Sequence, residues 1–193
     1  MGRPRSAAPT EFDMKANEQL EVWTVGHSTR TGVEFIQILK SFEIATLVDV
    51  RTYPGSRRYP QFNKAELSAS LKAAGIQYVH APHLGGRRRA RKDSTNIAWR
   101  NEQFRGYADY METQEFREAI AELLKLAQRK RTAIMCAEAV WWRCHRSMIS
   151  DYLKVKGTDV THIMGEGKAE PHPFTSVARV VDGELSYRGV LSE

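Results

Sequence analysis

At 193 residues the chain is long enough for one domain with its own core, and its 41% hydrophobic and 27% charged residues are ordinary for a globular protein. No apolar run approaches the ~20 residues that span a bilayer, so no membrane partner is expected. Residues 1–20 are polar and lack the apolar stretch of a secretory signal; they are expected to form a disordered tail ahead of a single α/β domain over 21–193. The two cysteines, Cys136 and Cys144, make no disulfide framework, and free thiols in a reducing cytoplasm are expected. The net charge of +6 is unevenly spread: residues 51–105 carry twelve Lys or Arg against three Asp or Glu. Arginines dominate that stretch, with Arg51, Arg57, Arg58, Arg87, Arg88, Arg89, Arg91, Arg100 and Arg105. Their planar forks suit phosphate, so a nucleotide or nucleic acid is the expected partner, with a solvated solubility loop as the alternative.

In chain order, Val22–Val25 reads as a short strand running into Gly26-His27-Ser28-Thr29, and Phe35, Ile36, Leu39 and Phe42 mark a helix from about Val33, capped by Ser28 or Thr31. Thr46–Val50 is a second strand of buried type, opening into the breaker-rich turn 51–56. Asn63 is a candidate cap for a helix over 64–74 that stops at Gly75. Ile76–Val79 is the third strand, and residues 80–96 read as a long Gly/Arg loop. Helices are predicted over 99–111 and 113–130; the second carries the stripe Phe116, Ile120, Leu123, Leu124, Ala127. Thr132–Cys136 is the fourth strand, followed by a reactive turn and a helix to about Lys156. Val160–Ile163 is the fifth strand, residues 165–174 a turn-rich loop, and Asp182-Gly183 between two β-type runs a hairpin turn.

Strands alternating with helices predict a three-layer domain: a mostly parallel sheet of about five strands, helices on both faces, and a C-terminal hairpin. In such a sheet the strand C-termini share one edge. His27 and Ser28, Asp49 and Arg51, His80 and His83, Cys136 and Glu138, and His162 are expected to converge there.

The densest chemistry is Cys136-Ala-Glu-Ala-Val-Trp-Trp-Arg-Cys-His-Arg146. Cys136, beside a helix N-terminus, Arg143 and Arg146, is a candidate nucleophile; the alternative is a small buried residue closing a strand. Glu138, walled from water by Trp141 and Trp142, is a candidate general acid or base with His145 as partner; the alternative is a salt bridge that fixes the turn. Asp49 with Arg51 is either a second carboxylate for catalysis or a structural ion pair. His27 is a further catalytic candidate, because capping does not require an imidazole there. Arg51, Arg143 and Arg146 are candidates for gripping an anion. Trp141 and Trp142 read as one core and one stacking residue. The segment from His172 to Thr175 is a candidate flap over the pocket, with a plain turn as the alternative. Cys136, Cys144, His145 and Glu138 include zinc-type ligands, but their spacing fits no common zinc pattern and neighbouring Cys144 and His145 would point to different helix sides; the reading assigns no metal or cofactor and keeps zinc, or a thiol sensor, as an alternative.

The same residues form a wider pattern. Gly26-His-Ser28, Asp49-Val-Arg-Thr-Tyr-Pro54 with Ser56, Phe62-Asn-Lys64, Gly75-Ile-Gln-Tyr78, Leu84-Gly-Gly86, Cys136-Ala-Glu138 with Cys144-His-Arg146, and His162-Ile163 together resemble the domain of unknown function 488 family over residues 22–188. The resemblance implies an α/β domain of bacterial and archaeal type, without an assigned biochemical activity, and a role near nucleic-acid metabolism. Ser28, Ser56, Gly85 and Gly86 join the candidate anion-binding set on these motifs. The expectation is therefore an enzyme on an anionic, nucleotide-like substrate; a non-catalytic nucleic-acid-binding module is the alternative.

Overall fold

The computed structural model describes residues 19–189, so residues 1–18 of the expected tail lie outside the described residues. Among the described residues eight strands form: β1 Glu21–Gly26, β2 Thr46–Asp49, β3 Gln77–His80, β4 Thr132–Cys136, β5 Asp159–Gly165, β6 Lys168–Pro171, β7 Arg179–Val181 and β8 Glu184–Ser186. Five α-helices accompany them: α1 Gly32–Ser41, α2 Lys64–Ala73, α3 Glu102–Met111, α4 Gln114–Ala127 and α5 Arg146–Val155. The main sheet has the order β3-β2-β4-β1-β5-β6. Its first five strands are parallel, β6 is antiparallel to β5, and β7 and β8 form the predicted hairpin.

Helices cover both faces because the central strands are apolar on both sides. Phe35 and Leu39 of α1 and Leu67 and Leu71 of α2 pack with Val25, Leu47 and Met135 on one face. Tyr107, Phe116, Ile120, Met148 and Leu153 from α3, α4 and α5 pack with Val22, Val48 and Ile134 on the other. Among the described residues no helix is long and apolar enough to cross a membrane.

Local chemistry sets the helix starts. Thr31 caps α1 in a capping box with Glu34, while Thr113 caps α4. Asn101 caps α3, which therefore starts at Glu102 rather than Trp99; Trp99 stacks on Phe104 instead. Asn63 precedes α2 without capping it. Its Oδ1 accepts from the Ser56 amide at 2.6 Å and pins the turn after β2.

Strand β6 occupies part of the expected loop 165–174. All four of its residues are exposed, so it has no apolar alternation; pairing with β5 across the turn at Gly167 (φ +62°) makes it a strand.

Candidate functional site

The chain leaves β1 toward β2 on one side and leaves β4 toward β5 on the other, so the crevice between the adjacent ends of β1 and β4 is the topological switch point of the sheet. The two ends are stitched together: the His27 amide donates to the Cys136 carbonyl at 3.0 Å and the Ser28 amide to the Ala137 carbonyl at 2.9 Å. Gly26 has no room for a Cβ, which would overlap the Glu138 carbonyl, so glycine is what lets the reactive turn lie over β1. Ser28 adopts φ +53°, a left-handed conformation that costs a serine about 1 kcal/mol or more.

A cavity of about 860 Å³ opens at this point. Of the sequence candidates it is lined by His27, Ser28, Arg51, Ser56, Gly86, Cys136, Glu138, Arg143 and His145. Asp49, Gly85 and Arg146 do not line it. Asp49 lies beneath Arg51, Gly85 packs against Thr52, and Arg146 is buried under the reactive turn. The expected convergence holds for His27, Ser28, Arg51, Cys136 and Glu138; Asp49 lies just beneath, and three residues lie elsewhere. His83 is exposed and bonds Glu115, His80 supports the Arg51 carbonyl, and His162 turns into the core.

Asp49 and Arg51 form a buried fork-to-fork pair, with Nε to Oδ1 at 2.8 Å and Nη2 to Oδ2 at 2.6 Å. The Arg51 amide and the Tyr78 hydroxyl complete the carboxylate, and Nη2 also donates to the Phe62 carbonyl. His27 has both nitrogens committed. Its Nδ1 faces the Ser28 carbonyl at 2.9 Å and must carry the proton, which leaves Nε2 to accept from Arg51 at 3.2 Å. Burial drops its pKa to about 4, with the Arg51 charge adding to the fall. His27 is a neutral support for Arg51, stacked on Phe62, rather than a free acid or base.

The floor of the cavity holds Cys136, Cys144 and His145, whose ligand atoms all lie within 4.8 Å of one another. Cys144 is extended (φ −133°, ψ 150°) and precedes α5, so helical spacing does not separate it from His145. Cys144 Sγ lies 3.5 Å from His145 Nδ1. Both cysteines are free, in keeping with the sequence reading. The two thiols lie side by side in the floor and shift each other in opposite directions. Cys136, by its neighbour Cys144 and by burial, is pushed well up; Cys144, by its neighbour Cys136 and helped by His145 and Arg146, is held well below the thiol range. His145 stands beside Cys144, so the sequence's case for Cys136 as the activated thiol applies at least as well to Cys144. Gly86 packs so closely on the His145 ring that a Cβ would collide with it.

Glu138 stands exposed at the rim and is not walled by the tryptophans. Trp141 instead turns inward, stacks on His162 at 4.3 Å and donates to Glu170, while Trp142 is 51% exposed. Glu138 is the one carboxylate among the cavity's lining residues, against four arginines: Arg51, Arg58, Arg87 and Arg143. Tyr53, 72% exposed, Tyr59 and Phe104 add aromatic faces. Part of the basic loop serves structure. Arg88 lies 3.5 Å over the Tyr110 ring, and Arg91 is tied to Glu112 and Asp109.

The sequence did not single out the network beneath. Arg146 is 1% exposed, donates to the Glu138 carbonyl at 2.6 Å and to Thr24 Oγ1 at 3.3 Å, and its Nε has no partner. Thr24 Oγ1 meets His162 Nδ1 at 2.7 Å, His162 Nε2 meets His172 Nδ1 at 2.8 Å, and His172 Nε2 meets Asp151 at 3.0 Å. With Asp151 ionised and His172 neutral every direction is set: His172 donates to Asp151, His162 to His172, Thr24 to His162, and Arg146 to Thr24. In that state the chain is one-way. His172 is therefore a buried link in this chain and does not line the cavity as a flap. Burial is the main cause that pushes the His162 pKa down to about 2, and the Arg146 charge adds to the fall.

His27 and His162 predict acid sensitivity. Both native pKa values lie below the ordinary 6.5, so the unfolded chain binds protons that the native protein refuses. Stability is full above pH 6.5 and falls as pH drops toward 4, by roughly 3 kcal/mol for each histidine at most. Urea unfolding at stepped pH is expected to show this slope, and His162→Gln to remove about half of it; a flat profile would mean that these imidazoles are charged in the native state.

Comparison with known proteins returns one finding. The family model described as Domain of unknown function DUF488 matches residues 32–153, from the start of α1 into α5. No curated protein and no solved structure matches.

Proposed function

The chain belongs to the DUF488 family, and on that footing we propose that it is an enzyme acting on an anionic, nucleotide-type substrate at the C-terminal edge of its parallel sheet. One observation carries the reading: a single cavity joins a rim of arginines to a floor made of two thiols and an imidazole. A surface that only held nucleic acid would need the first and not the second.

The roles follow from position. Arg58, Arg87 and Arg143 seat the phosphate; Arg51, already neutralised by Asp49, shapes the field and the wall. Tyr53 and Phe104 offer faces for a base. Glu138, the cavity's carboxylate, moves a proton at the rim, His145 orients the floor, and Cys136 and Cys144 form the reactive centre. About 860 Å³ accommodates a nucleotide, not a folded partner.

Calorimetric titration of inorganic phosphate, a nucleoside monophosphate and a short single-stranded oligonucleotide tests the seat. All three are expected to bind, more weakly as salt rises, and Arg87→Ala with Arg143→Ala is expected to cost the nucleotide at least roughly tenfold in affinity. Equal affinity in the double variant would remove the arginines from the substrate site.

A further inference from the structure

We propose that Cys136, Cys144 and His145 form a three-ligand site for one Zn²⁺ ion, with the fourth coordination position open to the cavity. This rests on the reading of that cavity as an active site and deepens it.

The three side chains come from three local conformations: the end of β4, the extended residue before α5, and the residue that opens α5. Their donor atoms nevertheless lie within 4.8 Å of one another. Tetrahedral zinc, at about 2.3 Å from sulfur and about 2.0 Å from nitrogen, sets neighbouring donors roughly 3.5–3.8 Å apart. The separation of 3.5 Å between Cys144 Sγ and His145 Nδ1 already meets that figure. The imidazole packs directly on Gly86, in space that any side chain at that position would take.

Charge points the same way. Arg146 offers the thiols one buried positive charge, and among the described residues it has no carboxylate ion-pair partner and an Nε without a hydrogen bond. One guanidinium balances one thiolate. A divalent ion balances both, and two thiolates with one imidazole make a neutral zinc site. Arg146 then favours an anion as the fourth ligand: hydroxide or a substrate oxygen. Sulfur and imidazole donors select zinc over magnesium or calcium.

Among the described residues no fourth Cys, His, Asp or Glu joins the cluster, and all three members line the cavity. That is the arrangement of a catalytic zinc, which keeps a place for water or substrate, not of a closed structural one.

The test uses untagged full-length protein, stripped with a chelator and titrated with Zn²⁺ and, separately, Co²⁺. One equivalent of zinc per chain is expected, with both thiols shielded from alkylation when it is bound. Cobalt is expected to give thiolate charge-transfer bands and the intense visible absorption of a tetrahedral site. Cys144→Ser and His145→Gln should each weaken zinc by more than the roughly 10–100-fold that loss of a mere supporting residue costs. Thiol shielding in the wild type needs no variant, so it decides the matter even if a variant fails to fold. Thiols that alkylate equally with and without zinc, a weak octahedral cobalt spectrum, or a Cys136–Cys144 disulfide in freshly isolated protein would each overturn the site. Phosphate titration of the metal-free protein separates the two readings: anions bound without zinc affinity would defeat the metal site alone, and zinc bound without anion affinity would defeat the substrate reading.

Discussion

Asp151→Ala is expected to lower stability by about 3–5 kcal/mol, the largest single loss this structure predicts. The Asp151 carboxylate is fully buried and accepts four hydrogen bonds: from His172 Nε2 at 3.0 Å, the Thr175 amide at 2.9 Å, the Thr175 hydroxyl at 2.6 Å and the Tyr187 hydroxyl at 2.8 Å. It thereby ties α5 to the loop after β6 and to the segment after the hairpin. Alanine leaves four donors without an acceptor, those of His172 and Tyr187 buried and those of Thr175 part-buried. It also removes the charge that sets the direction of the histidine chain. In a chain of this length the loss corresponds to a fall in Tm on the order of 10 °C. Proton NMR is expected to show Nε2–H tautomers at His162 and His172 in the wild type and a disturbed His162 in the variant. A loss below about 1 kcal/mol would mean that Asp151 is not the anchor of this network.

Asp49→Ala is expected to cost nearly as much, for a different reason. Here the damage is the charge left behind. Arg51 is 9% exposed, and without Asp49 its guanidinium keeps only the Phe62 carbonyl and His27 Nε2 as acceptors. Breaking a buried pair from one side typically costs about 3–5 kcal/mol, whereas replacing both partners costs much less. The double variant Asp49→Ala with Arg51→Met should therefore be more stable than Asp49→Ala alone. Denaturant unfolding of the four proteins closes the cycle. Additive losses would show that the pair is two independent residues, and would reopen a catalytic role for Asp49.

The parts of the fold that were legible are those in which one short segment carries its own evidence. Thr132–Cys136 is an uninterrupted apolar run and is a strand with the predicted bounds. Asp182-Gly183 makes a hairpin because both residues take φ above +50° there. Strand β6 was hidden because nothing in Lys168–Pro171 asks for a sheet until β5 is beside it. The place of the site was legible for the same reason as the sheet: parallel strands bring their C-termini to one edge. Its inner arrangement was not. Trp141 faces Glu170 and His162 rather than Glu138, and that depends on partners about thirty and twenty residues further on. The route from Arg146 to Asp151 runs through Thr24, His162 and His172, residues from two strands and a loop that share no local pattern. The meeting of Cys144 with Cys136 and His145 depends on an extended residue where helical spacing suggests divergence.

Product formation is the most direct measure of whether the thiol-and-imidazole floor does chemistry on what the arginine rim holds. Nucleoside mono-, di- and triphosphates and short oligonucleotides would be incubated with the full-length protein, with and without added Zn²⁺, and the products identified by mass spectrometry. At least one substrate should be converted, and Glu138→Gln and His145→Gln should each slow that conversion by roughly 10²–10⁴-fold while melting and binding the substrate as the wild type does. Nucleotides that are bound through Arg87 and Arg143 but recovered unchanged from the wild-type protein would contradict an enzyme and leave a binding module.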